Sequence, residues 1–247
     1  MYFGRLFANI CSYWGVSRIG AIQSIWDGFD FTYILNILLG LIPSLVCITL
    51  HELSHGLVAY KLGDDTAKRQ GRLTLNPLKH LDFMGLLMML VFHVGWAKPV
   101  PVNMYKFKDP KRGMAITALA GPVSNLLIAV ALMPVYGALY VPLSMSAVGQ
   151  YALQMLRLTV YLSLGLAVFN ILPVPPLDGS KVLFSVMRDE SYVRLMRYER
   201  YGMIAVVALM ATGILGRPLT AAIDFLYARL VPLAQLACDG VLELFYR

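Results

Sequence analysis

The chain alternates long apolar segments with short polar connections, and several apolar segments have the length of membrane-spanning helices. A bilayer core about 30 Å thick is crossed by about 20 apolar residues in a helix. Three segments meet that length and are predicted to form the core of the fold, at about 31–60, 115–139 and 151–172. A fourth span is predicted to begin at 202–215. The pattern predicts an all-α polytopic membrane protein with a core of three transmembrane helices.

Three further segments do not fit a simple crossing. Residues 1–30 mix aromatic and charged side chains, which is typical of an amphipathic helix at the membrane interface, with a poor spanning helix as the alternative. Residues 83–96 are apolar but too short for a comfortable crossing. Residues 216–247 form a C-terminal apolar helix, broken by Pro232, that could cross the membrane or lie on its surface. One or two additional C-terminal helices are therefore expected.

Composition and charge support a membrane protein and predict its orientation. The chain is 58% hydrophobic and 14% charged, with a mean hydropathy of +0.66. Fifteen of the 21 Lys and Arg residues fall in 61–112 or 181–200, so both stretches are predicted to be cytoplasmic. This placement explains the net charge of +7 without nucleic-acid binding. If the first and third spans both end inside, residues 83–96 must return to the side they left.

The most informative polar residues interrupt the first span. The motif His-Glu-Leu-Ser-His at 51–55 follows a charge-free run at 31–50, and ionisable residues at membrane depth are functional by default. Positions i and i+4 of a helix share one face, so both imidazoles can bind one metal ion, and Glu52 can act on a water there. At 1.5 Å per residue the histidines lie about 15 and 9 Å from the end of the span, so water must reach them through a polar cavity.

A catalytic zinc usually has three protein ligands and one open position, and this motif supplies two. The candidates for a third ligand outside the first span are His80, Asp82, His93 and Asp178. Asp178 stands out because the third span ends just before it, on the same side as His55. Prolines and a glycine there can turn its carboxylate back towards the interior. Cys47, one turn before His51, is interpreted as a small packing residue.

Three motifs in this order closely resemble the site-2 protease family of intramembrane zinc metalloproteases, in its compact bacterial branch without a PDZ or CBS domain. They are the HExxH motif at 51–55, Gly-Pro-Val-Ser-Asn at 121–125 and Asn-x-x-Pro-x-Pro-x-Leu-Asp-Gly at 170–179. Further matches lie at 71–82 and 95–103. The resemblance covers about residues 31–215, which are therefore treated as one membrane protease domain.

The resemblance implies one zinc ion (Zn²⁺) per chain, held by His51, His55 and Asp178. It implies that Glu52 is the general base, and that Asn125 and Asn170 bind substrate backbone or shape the cleft. The segment at about 71–103 would be a strand-bearing re-entrant region, near which a substrate is held extended.

Two classes of function are compatible with these residues. The favoured one is an intramembrane zinc endopeptidase of the bacterial plasma membrane, with an active site reached from the cytoplasm. Its expected substrates are single-span membrane proteins, such as anti-sigma factors and signalling precursors, or signal-peptide remnants. The alternative is a non-enzymatic protein that uses the same ligands for metal transport or scaffolding, but the outer halves of the spans offer few ligands, such as Asn36 and Gln154. The sequence does not indicate an oligomeric state.

Overall fold

The computed structural model describes residues 31–82, 97–187 and 214–245, with isolated residues at 202, 206, 208, 209 and 212. The predictions for residues 1–30 and 83–96, and for most of the span proposed to begin at 202–215, lie outside the described residues. The described α-helices are α1 (Phe31–Lys61), α2 (Thr66–Arg69), α3 (Pro110–Ser144), α4 (Ala147–Asn170), α5 (Asp178–Ser185) and α6 (Gly216–Phe245), and short 3-10 helices lie at Pro77–Lys79 and Met104–Lys106.

Four of these helices are long and apolar enough to cross a membrane: α1 from Leu39, α3, α4, and α6 as far as Leu244. The first three overlap the predicted core spans and follow in the same order. Helix α3 extends beyond the predicted 115–139 at both ends. Its start is fixed by Asp109, which caps the helix by accepting a hydrogen bond from the Arg112 amide at 3.1 Å. The fourth candidate span begins at Gly216, so the C-terminal apolar segment has the length of a crossing.

Helix α3 lies at the centre of the bundle and packs against α1, α4 and α6. A buried apolar cluster joins α3, α4 and α6, formed by Ala129, Met133, Val160, Leu164, Ile223 and Ala234. A second cluster joins α1 to α4 through Cys47, Leu158, Leu162 and Leu166. Cys47 is fully buried there, as expected of a packing residue.

Contacts along α6 show that it runs from the end of α4 towards the far end of α3. Near its start, Leu219 packs with Leu177, just after α4. Towards its other end, Ala234 meets Gly137 of α3. Between them Asp224 accepts a hydrogen bond of 2.9 Å from the Tyr161 hydroxyl of α4. Asp224 was not among the possible ligands named from the sequence, and this hydrogen bond gives its carboxylate a partner.

The connection between α1 and α3 folds back against the end of α1. Helix α1 ends at Lys61, and the chain then turns at Gly63, whose φ of +107° lies in the left-handed region that glycine adopts readily. Further along, Leu81 and Ala97 form an isolated antiparallel bridge, and the Lys98 amide donates to the His80 carbonyl at 2.9 Å. The two flanks of 83–96 therefore lie side by side. Within the described residues this bridge is the whole of the β-structure, so the predicted strand-bearing region is not confirmed.

Candidate active site

The two histidines of the HExxH motif lie on one face of α1, as their spacing predicts. His51 and His55 are both buried, and their Nε2 atoms are 3.0 Å apart. A pair of imidazoles held this closely inside an apolar helix is costly unless both nitrogens have a further partner. The third group in the cluster supplies that partner.

Asp178 is the first residue of α5 and reaches back to both histidines. Its Oδ2 atom lies 3.2 Å from His51 Nε2 and 3.1 Å from His55 Nε2. The turn that brings it there is tight, since a Cβ on Gly179 would lie 2.6 Å from the Leu172 carbonyl oxygen. Burial alone would raise the pKa of Asp178, but its contacts with the two histidines hold the pKa well below the ordinary carboxyl value. The ionised carboxylate is therefore available to a cation.

The spacing of these three groups suits a zinc ion. Ligands at 2.0–2.2 Å in a tetrahedral arrangement are separated from one another by about 3.3–3.6 Å, close to the 3.0–3.2 Å found here. His51, His55 and Asp178 are also the one group of His, Cys, Asp and Glu residues that could hold a metal ion among the residues that the structure describes. Two imidazoles and one carboxylate form a donor set typical of catalytic zinc.

Gly121 of α3 leaves open the space in front of the histidine nitrogens. A Cβ at this position would lie 2.6 Å from His51 Nε2 and 2.5 Å from His51 Cε1, and would also overlap His55 Nε2. Real Cβ atoms essentially never approach so closely. The missing side chain therefore leaves room at the atoms that would bind the metal, and the residues present fit the ion.

Glu52 lies beside the cluster and is fixed by the connection between α1 and α3. Its Oε2 atom accepts a hydrogen bond of 2.9 Å from the Val100 amide. Because Pro99 and Pro101 flank Val100 and have no N–H, this amide is the one backbone donor of the tripeptide. The contact leaves the second carboxylate oxygen of Glu52 for other chemistry.

A polar clamp centred on Asp64 holds this connection against the end of α1. The Asp64 side chain is fully buried and accepts hydrogen bonds from the Thr66 amide at 3.0 Å and from the Asn103 amide at 2.6 Å. The Lys106 ammonium lies 3.6 Å away. Burial opposes ionisation, but these hydrogen bonds and the nearby charge lower the pKa of Asp64. The clamp was not anticipated from the sequence, where Asp64 resembles an ordinary loop residue.

The two predicted substrate-binding asparagines have different surroundings. Asn125 is fully buried, with its side-chain nitrogen 3.1 Å from His51 Nδ1. Asn170 is half-buried at the end of α4 and donates to the Leu166 carbonyl at 3.0 Å. Their predicted role in substrate binding stays a prediction.

Two of the remaining candidate ligands, His80 and Asp82, are described, and neither is brought to the cluster. His80 is buried elsewhere, with Nε2 donating to the Thr74 carbonyl at 2.9 Å. Asp82 belongs to no metal-holding group among the described residues, and His93 lies outside them.

Comparisons with known proteins agree with this chemistry. The sequence model of peptidase family M50 matches residues 138–215. YwhC of Bacillus subtilis (strain 168), named as a zinc metalloprotease, is 40% identical over 211 residues, which cover 83% of this chain and 89% of YwhC. The chain belongs to peptidase family M50. It is a zinc metalloprotease of the site-2 protease family and, with its apolar helices, a multi-pass membrane protein.

More distant relatives carry similar names. The protease is 32% identical over 177 residues to Rip2 of Mycolicibacterium smegmatis, covering 70% of this chain and 66% of Rip2. It is 32% identical over 160 residues to MJ0611 of Methanocaldococcus jannaschii, covering 63% of this chain and 76% of that protein. Both are named as zinc metalloproteases. No solved structure matches the chain.

Proposed function

We propose that the protease is an intramembrane endopeptidase that cuts peptide bonds within or near the transmembrane segment of its substrates. One zinc ion per chain would be held by His51, His55 and Asp178. The observation that supports this most directly is the convergence of three ligand atoms at 3.0–3.2 Å, with two of them on a candidate membrane span. A metal site at that depth serves a substrate that is itself in the membrane.

Glu52 is proposed as the general base. When bound, zinc supplies a Lewis acid that polarises a carbonyl group and lowers the pKa of water. The Val100 amide holds one oxygen of Glu52 at 2.9 Å. The other oxygen can take a proton from the attacking water and pass it to the leaving amine.

The substrate is proposed to lie extended beside residues 97–103. A peptide bond in a helix is shielded by helical hydrogen bonds and side-chain packing, so the substrate must unwind before it is cut. Residues 97–103 come next to the base through Val100. Asn170, half-buried at the end of α4, is proposed to contact the substrate backbone. Single-span membrane proteins and signal-peptide remnants are the proposed substrates.

The end of the bundle that carries the site is proposed to face the cytoplasm of a bacterial cell. The support is the excess of basic residues in 61–112, which connects α1 to α3 at that end. The adjacent flanks of 83–96, joined by the Leu81–Ala97 bridge, agree with a segment that returns to the side it left.

The test is the substitution Glu52→Gln, assayed with purified protein and a single-span model substrate. Cleavage is expected to fall by about 10²–10⁴-fold, the usual contribution of general acid–base catalysis. Zinc content should stay at one ion per chain, because Glu52 is not a ligand. Ser54→Ala is the matched control, since its hydroxyl donates within its own helix to the Leu50 carbonyl at 2.7 Å. Activity of Glu52→Gln within a few-fold of wild type would remove Glu52 from the mechanism.

A further inference from the structure

Asn125 is an unusual residue for the middle of a membrane helix. Its side chain is fully buried, and its Oδ1 atom has no hydrogen-bond partner among the described residues. Leaving a buried polar atom unpaired is costly. An apolar residue of similar size would avoid that cost, so a polar residue here calls for a reason beyond packing.

The described partner of Asn125 is a proposed zinc ligand. Its amide nitrogen lies 3.1 Å from His51 Nδ1, the ring nitrogen on the side away from Asp178. A neutral imidazole carries one proton, so whichever group faces Nδ1 decides whether Nε2 is free to bind a metal. The amide of Asn125 therefore acts on His51 through the choice of tautomer.

His55 shows what the metal-binding tautomer requires. Its Nδ1 atom lies 2.7 Å from the Thr117 carbonyl oxygen, which can only accept a hydrogen bond. The proton of His55 is therefore on Nδ1, and Nε2 is left as a ligand. Most zinc-binding histidines are oriented by such a partner.

For His51 the same outcome needs the oxygen of the Asn125 amide. If the amide nitrogen donates to Nδ1, the proton of His51 is on Nε2, which then cannot bind metal. A half-turn of the nearly symmetric amide exchanges its oxygen and nitrogen, so that Oδ1 accepts from Nδ1. In either orientation one atom of the Asn125 amide has no described partner. The tautomer of His51 therefore decides which orientation is favoured.

The three residues of α3 that face the histidines form one stripe along the helix. Thr117, Gly121 and Asn125 are spaced by four residues and so share a helix face. Thr117 offers a backbone carbonyl, which any residue could supply, and Gly121 offers space. Asn125 is the member of the stripe that acts through its side-chain chemistry.

We propose that Asn125 is a positioning residue that holds His51 in the tautomer with Nε2 free for zinc. This proposal rests on the zinc site of the proposed function. It gives Asn125 a role in metal affinity in place of direct contact with the substrate.

The test measures zinc affinity by chelator competition in the purified full-length protein, with KM and kcat for a model substrate measured alongside. Asn125→Leu keeps the size of the side chain but cannot accept a hydrogen bond, and it should weaken zinc binding by about 10–100-fold. Under saturating zinc its KM should stay at the wild-type value. Asn125→Asp, whose carboxylate is a stronger acceptor, should retain wild-type zinc affinity.

Ser124→Ala is the matched control on the same helix, because its hydroxyl donates to the Gly121 carbonyl at 2.7 Å and, among the described residues, not to a histidine. Wild-type zinc affinity in Asn125→Leu, or a raised KM as its main effect, would overturn the positioning role in favour of a substrate contact. If Asn125→Asp also binds zinc about 10-fold more weakly, the acceptor argument is wrong, even if Asn125→Leu fails to fold. Absence of zinc from the wild-type protein would instead defeat the proposed function.

Discussion

Gly121 and Gly137 lie in the same helix, about 24 Å apart along its axis, and face different kinds of neighbour. A Cβ on Gly121 would overlap the imidazoles of His51 and His55. A Cβ on Gly137 would overlap the backbone of α6, 2.6 Å from Ala234 Cα. The same absence of a side chain thus leaves room for chemistry at one end of α3 and for close helix packing at the other. The role of a helix glycine depends on what lies opposite it.

The substitution Gly121→Ala should have the largest effect. The added methyl group would occupy the space in front of the two Nε2 atoms, so the histidines would have to move away from Asp178. Zinc content is expected to fall below about a tenth of wild type, and cleavage by at least about 10²-fold, as expected when a catalytic group is displaced by 1 Å. Metal analysis of the purified variant measures the first effect. Full zinc occupancy in Gly121→Ala would contradict this account of the site.

Gly137→Ala should change stability and leave the metal in place. Forcing a methyl group against the backbone of α6 is overpacking, which typically costs about 1–3 kcal/mol. The expected result is a lower melting temperature with zinc still at the wild-type level. If Gly137→Ala loses zinc while Gly121→Ala keeps it, the distinction between the two ends of α3 is reversed.

Asp64→Asn should have a moderate effect at the site end, because it weakens the clamp that holds Val100 near Glu52. Stability is expected to fall by about 1–3 kcal/mol, the usual cost of an unsatisfied buried group, and cleavage by several-fold with zinc retained. Asp65→Asn is the control, since that carboxylate lies at the surface and pairs with Lys106 at 2.6 Å. Surface ion pairs contribute little to stability.

The pH dependence of Asp64→Asn has a definite sign. The pKa of Asp64 is lowered in the folded protein from its ordinary value of 3.8. Its contribution is therefore complete well above pH 3.8 and is lost as the pH falls through the lower, folded value. The difference in melting temperature between wild type and variant, measured without metal, should be full at pH 7 and shrink below pH 3.8. A difference that does not change with pH would show that the charge of Asp64 is not what holds the clamp.

The smallest perturbation is a labelling experiment that asks which side of the membrane each end of α3 faces. Cysteines replacing Lys79 and Lys106 should both be protected from an impermeant thiol reagent in intact cells, and both react once the membrane is opened. A cysteine replacing Met145, 90% exposed between α3 and α4, should react from outside. Cys11, Cys47 and Cys238 are removed beforehand. Labelling of position 106 but not 79 from outside would show that 83–96 crosses the membrane.

The parts of the site that could be predicted from the sequence are those with a local signature. His51 and His55 share a face because of their four-residue spacing, whatever surrounds the helix. Asp178 could be predicted because a span ends just before it, in prolines that stop a helix. Both inferences need only the geometry of one helix and the parity of the crossings.

The parts that could not be predicted depend on which residue comes to lie opposite another. Gly121 and Gly137 look alike in the sequence, although one faces imidazoles and the other a backbone. The contact of Glu52 with the Val100 amide joins residues 48 positions apart in the chain. Asp64 gives no pattern that separates a buried clamp from a solvated loop carboxylate. A Gly-Asp-Asp sequence is common in loops, so only the tertiary structure could reveal the role of Asp64.

The contact between Val100 and Glu52 also bears on how the protein tolerates mutation. Val100 acts on the proposed base through its backbone N–H, so no choice of side chain at this position supplies or removes the donor. Proline is the exception, because it has no N–H, and prolines already stand on both sides at 99 and 101. Proline, which both neighbouring positions already carry, would therefore be damaging at position 100. Substitutions to other residues there would be limited by packing, since the Val100 side chain is buried.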